Sequence, residues 1–358
     1  MWPFFVIPGF VALMSLISRR NLVHYYTWGF TFIALLLFVG LRHKVGMDWN
    51  NYLIMIEKVY YSPTIMFALV VAEPGYSLLL FVSAALGFGV YGSNLFGTLI
   101  FCLGLFRYAR TTPYPWTALL VAMPMLVTVV AMSANRQTVA IGVLLWILAG
   151  WNTSSLLRRA VGILFAALFH FSALFFLVFA AADLKIRTSL KVVLIGALFA
   201  GSFYLLSTTG RADHYDDLYV TGQTQLTQSD GAIFHVIYNG GPAALFFILS
   251  GKQRAMLFPS QIHRLMALLA VALIPAVFLT SVAAGRITLY LFPMSMYVIS
   301  ALPLLVSSRQ EKYLVRFGIA LFMLLMLFVW LAFANSSFAH IPYGNFLTVP
   351  NFERRLCC

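Results

Sequence analysis

Apolar residues along this chain form long unbroken runs that are separated by short charged segments. The runs, at about 13 to 22 residues, are mostly long enough to cross the hydrocarbon core of a bilayer as helices. They lie near residues 3–18, 24–41, 92–107, 115–132, 137–151, 157–170, 171–183, 190–207, 232–250, 264–283, 286–306 and 314–334. The pattern predicts an all-α polytopic membrane protein with about twelve transmembrane helices, within a range of roughly 11 to 14, in one integral membrane domain over residues 1–358.

A further apolar stretch at 76–90 is ambiguous. It contains Gly87 and Gly89, and Gly92-Ser93-Asn94 follows at once. At about 15 residues it is short for a span, so we expect a re-entrant or interfacial helix, which gives twelve spans. If the stretch does cross the bilayer, the count becomes thirteen and the first two loops exchange sides.

Composition excludes a soluble protein. Hydrophobic residues make up 62% of the 358 positions and charged residues 9%, against about 45 to 50% and 25% in soluble domains. The first apolar run has no basic segment before it and no A-x-A cleavage site, so we expect a retained helix and not a signal peptide. The three cysteines show neither a disulfide framework nor metal-ligand spacing.

The net charge of +13 is unevenly distributed along the chain. In the twelve-helix arrangement, 15 of the 23 Lys and Arg residues fall in one set of alternate loops and eight in the other. The basic loops should be cytoplasmic. Acidic residues divide the opposite way, so the surplus indicates orientation and not a nucleic-acid partner. The twelve-helix and thirteen-helix arrangements differ only before residue 92. Every later loop lies on the same side of the membrane in both.

The outer side collects the polar residues that topology does not explain. They are Arg42, Asp48, Tyr52 and Glu73 in the first outer loop, Arg136 and Gln137 at a helix start, His170 at a helix junction, Asp213, Asp216 and Asp217 in a polar segment, Arg286, and Tyr343. We expect the outer loops 42–75 and 208–231 to form part of a cavity on this face.

Arg136 and Arg286 each lie at a helix end beside apolar sequence. A charge at bilayer depth costs roughly 2.5 to 3.5 kcal/mol on insertion scales, so an unpaired structural placement is unfavourable. The guanidinium fork suits phosphate and carboxylate oxygens. Together with Arg42, these arginines favour a polyanion such as a lipid diphosphate. The alternative is that they reach lipid headgroups or pair with Asp48 or Glu73.

Asp48 and Glu73 are candidate proton acceptors, because a carboxylate partly shielded by protein has a raised pKa that suits a general base. Salt bridges to Arg42 or Arg136 are the structural alternative. His170 is either a base, a proton donor or phosphate ligand, or a hydrogen-bonded structural residue. The Asp213, Asp216 and Asp217 run resembles metal ligands, but such runs in loops are usually solvated, and we expect no metal and no cofactor.

An ordered set of short motifs resembles the EpsG branch of the Wzy-like polysaccharide polymerases. The set comprises Leu41-Arg42, Val45 to Tyr52, Glu73-Pro74-Gly75-Tyr76, Asn135-Arg136-Gln137 with Ala140, Phe169 to Ala173, Gly285-Arg286 and Pro342-Tyr343. The resemblance covers about residues 30 to 345, and its specificity comes from the order, spacing and shared face of the motifs.

The resemblance implies a bacterial inner-membrane glycosyltransferase that joins oligosaccharide repeat units carried on undecaprenyl diphosphate at the periplasmic face. The implied architecture is similar to the GT-C class. Asp48, Glu73 and His170 would be catalytic. Arg42, Tyr52, Arg136, Gln137, Arg286 and Tyr343 would bind the substrate and its diphosphate without a metal.

Other partners and functions stay open. Besides the lipid-linked glycan and the bilayer, a chain-length regulator and a flippase are partners to consider. The rival functions are a flippase or transporter for the same lipid-linked glycan, an O-antigen-type ligase, and a structural membrane partner. A flippase should place its charges along a cavity that reaches both leaflets, whereas the unexplained charges here share one face, which favours an enzyme.

Overall fold

The computed structural model describes residues 1–18, 24–182, 232–278 and 281–350, with isolated residues between 184 and 197. The predicted run at 190–207 lies largely outside the described residues. The predicted outer loop 208–231, with Asp213, Asp216 and Asp217, lies entirely outside them.

The described chain is mostly helical. Its α-helices are α1 (Pro3–Ile17), α2 (Tyr25–Gly40), α3 (Trp49–Tyr60), α4 (Ile65–Ala68), α5 (Pro74–Ala85), α6 (Gly89–Ala109), α7 (Pro115–Ala122), α8 (Asn135–Leu148), α9 (Leu156–Ala167), α10 (Leu177–Ala182), α11 (Ala232–Ile248), α12 (Gly251–Leu257), α13 (Gln261–Ala276), α14 (Ser281–Leu289), α15 (Phe292–Ala301) and α16 (Arg309–Phe333). A π-helix at Met123–Ala131 follows α7, and 3-10 helices lie at Trp151–Thr153, Phe171–Phe176, Leu302–Leu305 and Asn335–Ala339. Strands β1 (Arg42–His43) and β2 (Gly344–Asn345) pair antiparallel.

Among the described residues, α6 and α16 are long and apolar enough to cross a membrane. The pair α12 and α13, bent by 98°, adds a third span if it is counted as one. Most other apolar helices have 10 to 17 residues. An all-α membrane protein is therefore supported, but helix length alone counts far fewer spans than the twelve predicted.

Several predicted runs differ from the continuous helices expected, because prolines and irregular turns interrupt them. The run at 286–306 divides into α14 and α15 immediately before Pro293, and the run at 115–132 continues from α7 as a π-helix that contains Pro124. Proline lacks the N–H that a regular helix needs at these positions. Hydrophobicity indicates burial but does not show where a helix changes its geometry.

The ambiguous stretch at 76–90 overlaps α5, which begins two residues earlier, at Pro74, and ends at Ala85. Its 12 residues correspond to about 18 Å, against a bilayer core of about 30 Å. Gly87 and Gly89 have positive φ angles of 70° and 52°, and they form the turn into α6. The length of α5 is compatible with the expected re-entrant or interfacial helix.

Helix α3 lies within the segment predicted to be an outer loop. Its buried residues Trp49, Tyr52, Ile56 and Val59 recur every three or four positions, which is the period of one helix face. The polar residues between them conceal this amphipathic pattern. Asp48 precedes the helix as its N-cap residue.

Glycines allow α6 and α8 to pack with their backbones in contact. A Cβ on Gly104 would lie 1.9 Å from the carbonyl oxygen of Gly142, so no larger residue fits at this crossing. One end of the same interface carries polar side chains: Asn94 Oδ1 accepts hydrogen bonds from Asn135 Nδ2 at 2.9 Å and from Arg42 Nη2 at 3.2 Å. The close crossing therefore places the start of α8 against α6.

Candidate active site

Glu73 joins three distant segments of the chain. Its side chain is buried. Oε2 accepts a hydrogen bond from Nη1 of Arg136 at 2.9 Å, and Oε1 lies 3.1 Å from Nδ1 of His170. Arg136 is the second residue of α8, and His170 precedes the 3-10 helix at Phe171–Phe176. Both carboxylate oxygens are therefore engaged by predicted site residues.

A close backbone contact brings Glu73 and His170 together. The Gly75 N–H donates to the carbonyl oxygen of Leu168 at 2.8 Å. A Cβ on Gly75 would lie 3.0 Å from both the Leu168 side chain and its carbonyl oxygen. Glycine thus permits the start of α5 to approach the end of α9, and Pro74 begins α5 where a missing N–H costs nothing.

Charge compensation keeps Glu73 ionised. Burial alone would raise its pKa, but the hydrogen bond to His170 and the positive charge of Arg136 outweigh burial and lower the pKa to about 2. Burial lowers the pKa of His170, so its imidazole is neutral near pH 7. A neutral imidazole that donates Nδ1–H to Glu73 presents Nε2 as an acceptor.

Beside this cluster lies a cavity of about 220 Å³, called here the polar cavity. Its lining residues include Asp48, Tyr52, Arg136, Gln137, His170, His235 and Arg286. Six of these seven were predicted from sequence as site residues. Five separate regions of the chain contribute to it: the Asp48 segment with α3, α8, the His170 junction, α11 and α14.

Asp48 reaches the cavity on a loop that the rest of the structure holds in place. Gly46 has a φ of 104° and packs against the carbonyl group of Met132. Its N–H donates to the carbonyl oxygen of Ala339 at 2.8 Å. Burial raises the pKa of Asp48, although the charges of Arg136 and Arg286 act against the rise. Asp48 therefore holds a proton to a higher pH than an exposed aspartate does.

Gln137 positions the segment that carries Arg286. Its Nε2 donates to the backbone carbonyl of Arg286 at 3.2 Å. The hydroxyl of Tyr52 accepts from the backbone N–H of Arg136 at 3.4 Å. Gln137 and Tyr52 both line the cavity, and each also holds the backbone of one arginine: Gln137 that of Arg286, and Tyr52 that of Arg136.

Arg42 and Tyr343 are not brought to the cavity. The buried Arg42 guanidinium donates to the carbonyls of Val39 at 2.8 Å and Val45 at 3.3 Å. The hydroxyl of Tyr343 donates to the carbonyl of Phe38 at 2.7 Å. These contacts join the two-stranded sheet to the end of α2. The structure therefore gives both residues a supporting position behind the Asp48 loop.

Sequence reasoning missed His235, which lies on α11 and lines the polar cavity. A signal was present: Asn239 follows four residues later on the same helix face, in an otherwise apolar run. Nδ2 of Asn239 donates to the carbonyl oxygens of His235 at 3.1 Å and Thr288 at 3.2 Å. Two polar residues at this spacing in an apolar helix indicate a face that meets something polar.

Within the described residues, no group of three or more His, Cys, Asp or Glu side chains could hold a metal ion. Asp213, Asp216 and Asp217 lie outside those residues. The cavity itself offers two guanidinium groups, one carboxyl group with a raised pKa and the imidazoles of His170 and His235, of which that of His170 is neutral near pH 7. This set can bind an anion and accept a proton at the same place.

Comparison with known proteins identifies a family. A sequence model described as the EpsG family matches residues 25–345, nearly the whole chain, and confirms the resemblance carried by the motifs. No curated protein and no solved structure matches the chain.

The Glu73 cluster predicts a specific loss of stability. Breaking a buried ion pair by removing one partner costs about 3 to 5 kcal/mol. Because the Arg136 side chain is 30% exposed, we expect Glu73→Gln to lower the free energy of unfolding by about 3 kcal/mol, the lower end of that range. Denaturation of the purified protein in detergent measures the change.

The pH dependence and a matched variant make this test specific. The folded pKa of Glu73 is depressed to about 2, so its stabilisation is complete above the ordinary value near 4.5 and is lost as pH falls toward 2. The difference between wild type and Glu73→Gln should shrink over that window. Glu57→Gln, an exposed change on α3, should leave stability unchanged. Equal effects of the two variants would contradict the proposed cluster.

Proposed function

Since the chain belongs to the EpsG family, we propose that it polymerises oligosaccharide repeat units carried on undecaprenyl diphosphate. It does so by glycosyl transfer from one lipid-linked unit to a sugar hydroxyl of another. The observation that carries the proposal is the polar cavity, where Arg136 and Arg286 lie beside Asp48. An anion site next to a proton acceptor is what this reaction requires, because a diphosphate leaves as a hydroxyl group attacks.

The proposal includes a membrane arrangement. About twelve spans cross the bacterial inner membrane in a GT-C-like bundle, the stretch near 76–90 enters without crossing, and the polar cavity faces the periplasm. The apolar helices and the concentration of Lys and Arg in alternate loops support this arrangement. One membrane domain then carries the whole site.

Arg136 and Arg286 are proposed to bind the diphosphate. Both line the cavity from helix ends, and Gln137 links their two segments through the Arg286 carbonyl. As the bond between the anomeric carbon and the phosphate oxygen breaks, the electron pair leaves with the diphosphate. Two fixed guanidinium groups stabilise that developing charge.

Asp48 is proposed as the base. Both oxygens of Glu73 are engaged, by Arg136 and by His170, so Glu73 orients those residues and does not accept the proton. The acceptor hydroxyl oxygen bonds to the anomeric carbon, and its proton passes to the Asp48 carboxylate. His170 and Tyr52 position the substrate from the cavity wall.

A cavity of about 220 Å³ is smaller than the roughly 300 to 1,000 Å³ of sites that enclose a drug-sized ligand. It accommodates the reacting part of a large substrate, while the rest of each glycan extends outward. The flippase alternative requires a charged path toward both leaflets. The described cavity has its charged residues grouped at one place.

Reconstitution tests the polymerase and its arginines together. Purified protein in liposomes with lipid-linked repeat units should produce longer glycan chains without a second protein. Arg136→Ala and Arg286→Ala should each lower the rate by about 10²- to 10³-fold, the usual loss when one donor to a developing negative charge is removed. Glycan length and yield, measured on gels, provide the readout.

Arg158→Ala, an exposed arginine at the start of α9, is the matched control and should retain the wild-type rate. Movement of the lipid-linked units across the bilayer without elongation would overturn the proposal in favour of a flippase. Wild-type chain length and yield in both arginine variants, at normal protein abundance, would remove the arginines from the mechanism.

Asp48→Asn should lower the polymerisation rate by about 10²- to 10⁴-fold, the range for loss of a general base. Because burial raises the pKa of Asp48 above its usual 3.8, wild-type activity should rise as pH rises through that higher value and the carboxyl group loses its proton. The residual activity of Asp48→Asn should lack this rise. The measurement is the rate as a function of pH for wild type, Asp48→Asn and the control Glu57→Gln. If the rate of Asp48→Asn falls at low pH as the wild-type rate does, another residue is the base.

A further inference from the structure

A second cavity adjoins the polar cavity, and the proposed mechanism does not use it. Its volume is about 530 Å³, and apolar side chains dominate its lining. We call it the apolar cavity; its walls include Met47, Met125, Val129, Phe234 and Met326. They come from the loop before Asp48, the π-helix, the start of α11 and the end of α16.

The two cavities share parts of one wall. His235 lines both of them. Met47 lines the apolar cavity, and its neighbour Asp48 lines the polar cavity. Likewise, Ser133 lines the apolar cavity, and its neighbour Ala134 lines the polar cavity. The Met47 N–H also donates to the Ser133 hydroxyl at 3.3 Å. A ligand that extends through both cavities therefore has a charged part and an apolar part separated by only a few atoms.

His235 lies at the boundary between the two cavities, and one of its ring nitrogens has no hydrogen-bond partner among the described residues. Its Nε2 is buried and makes no hydrogen bond within the part of the chain that the structure describes. A buried nitrogen without a partner is costly and rare, and it commonly indicates a site completed by a ligand or water. Asn239 Nδ2 donates to the backbone carbonyl of His235, which helps to hold this turn of α11 at the boundary.

Two phenylalanines that line the apolar cavity are largely exposed, and we take them as its rim. Phe333 is 75% exposed and Phe338 72% exposed. Phe333 is the last residue of α16, a helix long and apolar enough to cross a membrane, so this rim lies near a membrane surface. Hydrocarbon can enter there from the bilayer, whereas a sugar would lack hydrogen-bonding partners along most of the wall.

We propose that the apolar cavity binds the isoprenoid chain of the lipid-linked donor next to its diphosphate, and that His235 hydrogen-bonds the phosphate oxygen nearest the chain. The inference rests on the proposed function for the identity of the donor. The cavity encloses the first part of the chain, and the remainder extends past the phenylalanine rim into the bilayer. The two cavities then bind the two halves of one amphiphile, with Arg136 and Arg286 on its charged side.

Photo-crosslinking of the wild-type protein tests the location without requiring turnover. The probe is an isoprenoid diphosphate with a photoactivatable group on the unit next to the diphosphate, added to protein in lipid nanodiscs. Peptide mapping should locate the crosslinks in the π-helix, the start of α11 and the end of α16, near Val129, Phe234 and Met326. Crosslinks confined to other helices would overturn the inference, whatever the variants do.

Variants then distinguish binding of the isoprenoid chain from binding of the diphosphate head group. Met326→Trp fills the apolar cavity, and Leu325→Trp, whose side chain is 52% exposed on the same helix, is the matched control. Met326→Trp should lower crosslinking and the rate with a long-chain donor by about tenfold or more, the scale of a changed fit in a hydrophobic pocket. A short-chain donor should react equally with both variants, and equal loss with both donors would overturn the chain assignment.

His235→Phe keeps an aromatic ring without the nitrogen, and it should weaken binding of the diphosphate probe, whereas His235→Gln should restore part of it. Equal probe affinity in wild type and His235→Phe would remove His235 from the site. The inference and the proposed function fail separately. Crosslinks in the cavity without glycan elongation would contradict only the polymerase, and elongation with crosslinks elsewhere would contradict only the chain site.

Discussion

A carboxylate stays ionised inside a bundle of apolar helices only when positive charge and hydrogen-bond donors surround it. Glu73 meets that condition through Arg136 on one oxygen and His170 on the other. The requirement joins the start of α5, the start of α8 and the end of α9. It also sets the imidazole tautomer and places the Arg136 side chain, which stays partly exposed, along the wall of the polar cavity. The same interaction therefore organises the bundle and the site.

The buried charges divide into two roles. Arg42 is satisfied by backbone carbonyls and Asn94, and with Tyr343 it stabilises the paired strands behind the Asp48 loop. Asp48, Arg136 and Arg286 instead line a cavity, where a substrate can meet them. A charge whose donors are all directed at the protein supports structure. A charge that lines open space is available for chemistry.

The sequence predicted much of the site because charged residues are costly in apolar helices and stand out there. Arg136 and Arg286 were predicted in this way, Asp48, Glu73 and His170 from their polar character near helix ends, and Tyr52 and Gln137 from the family resemblance. The structure brings these residues together. Arg42 was grouped with the other arginines because sequence does not show what a guanidinium contacts. His235 was overlooked within an apolar run. Helix α3 was missed because its polar residues conceal the spacing of Trp49, Tyr52 and Ile56, and breaks near Pro124 and Pro293 interrupt runs that hydrophobicity alone makes continuous.

Two adjoining cavities, one polar and one apolar, match the two parts of the amphiphile that we propose as the substrate. In the proposed function, the diphosphate of this substrate lies between Arg136 and Arg286, beside Asp48. The most direct measurement is a cryo-electron microscopy structure of the protein with a non-transferable glycan analogue of undecaprenyl diphosphate. Phosphate oxygens should lie within about 3 Å of both guanidinium groups, with Asp48 facing the anomeric carbon. A diphosphate bound at Arg42, or anywhere outside the polar cavity, would rule out this placement.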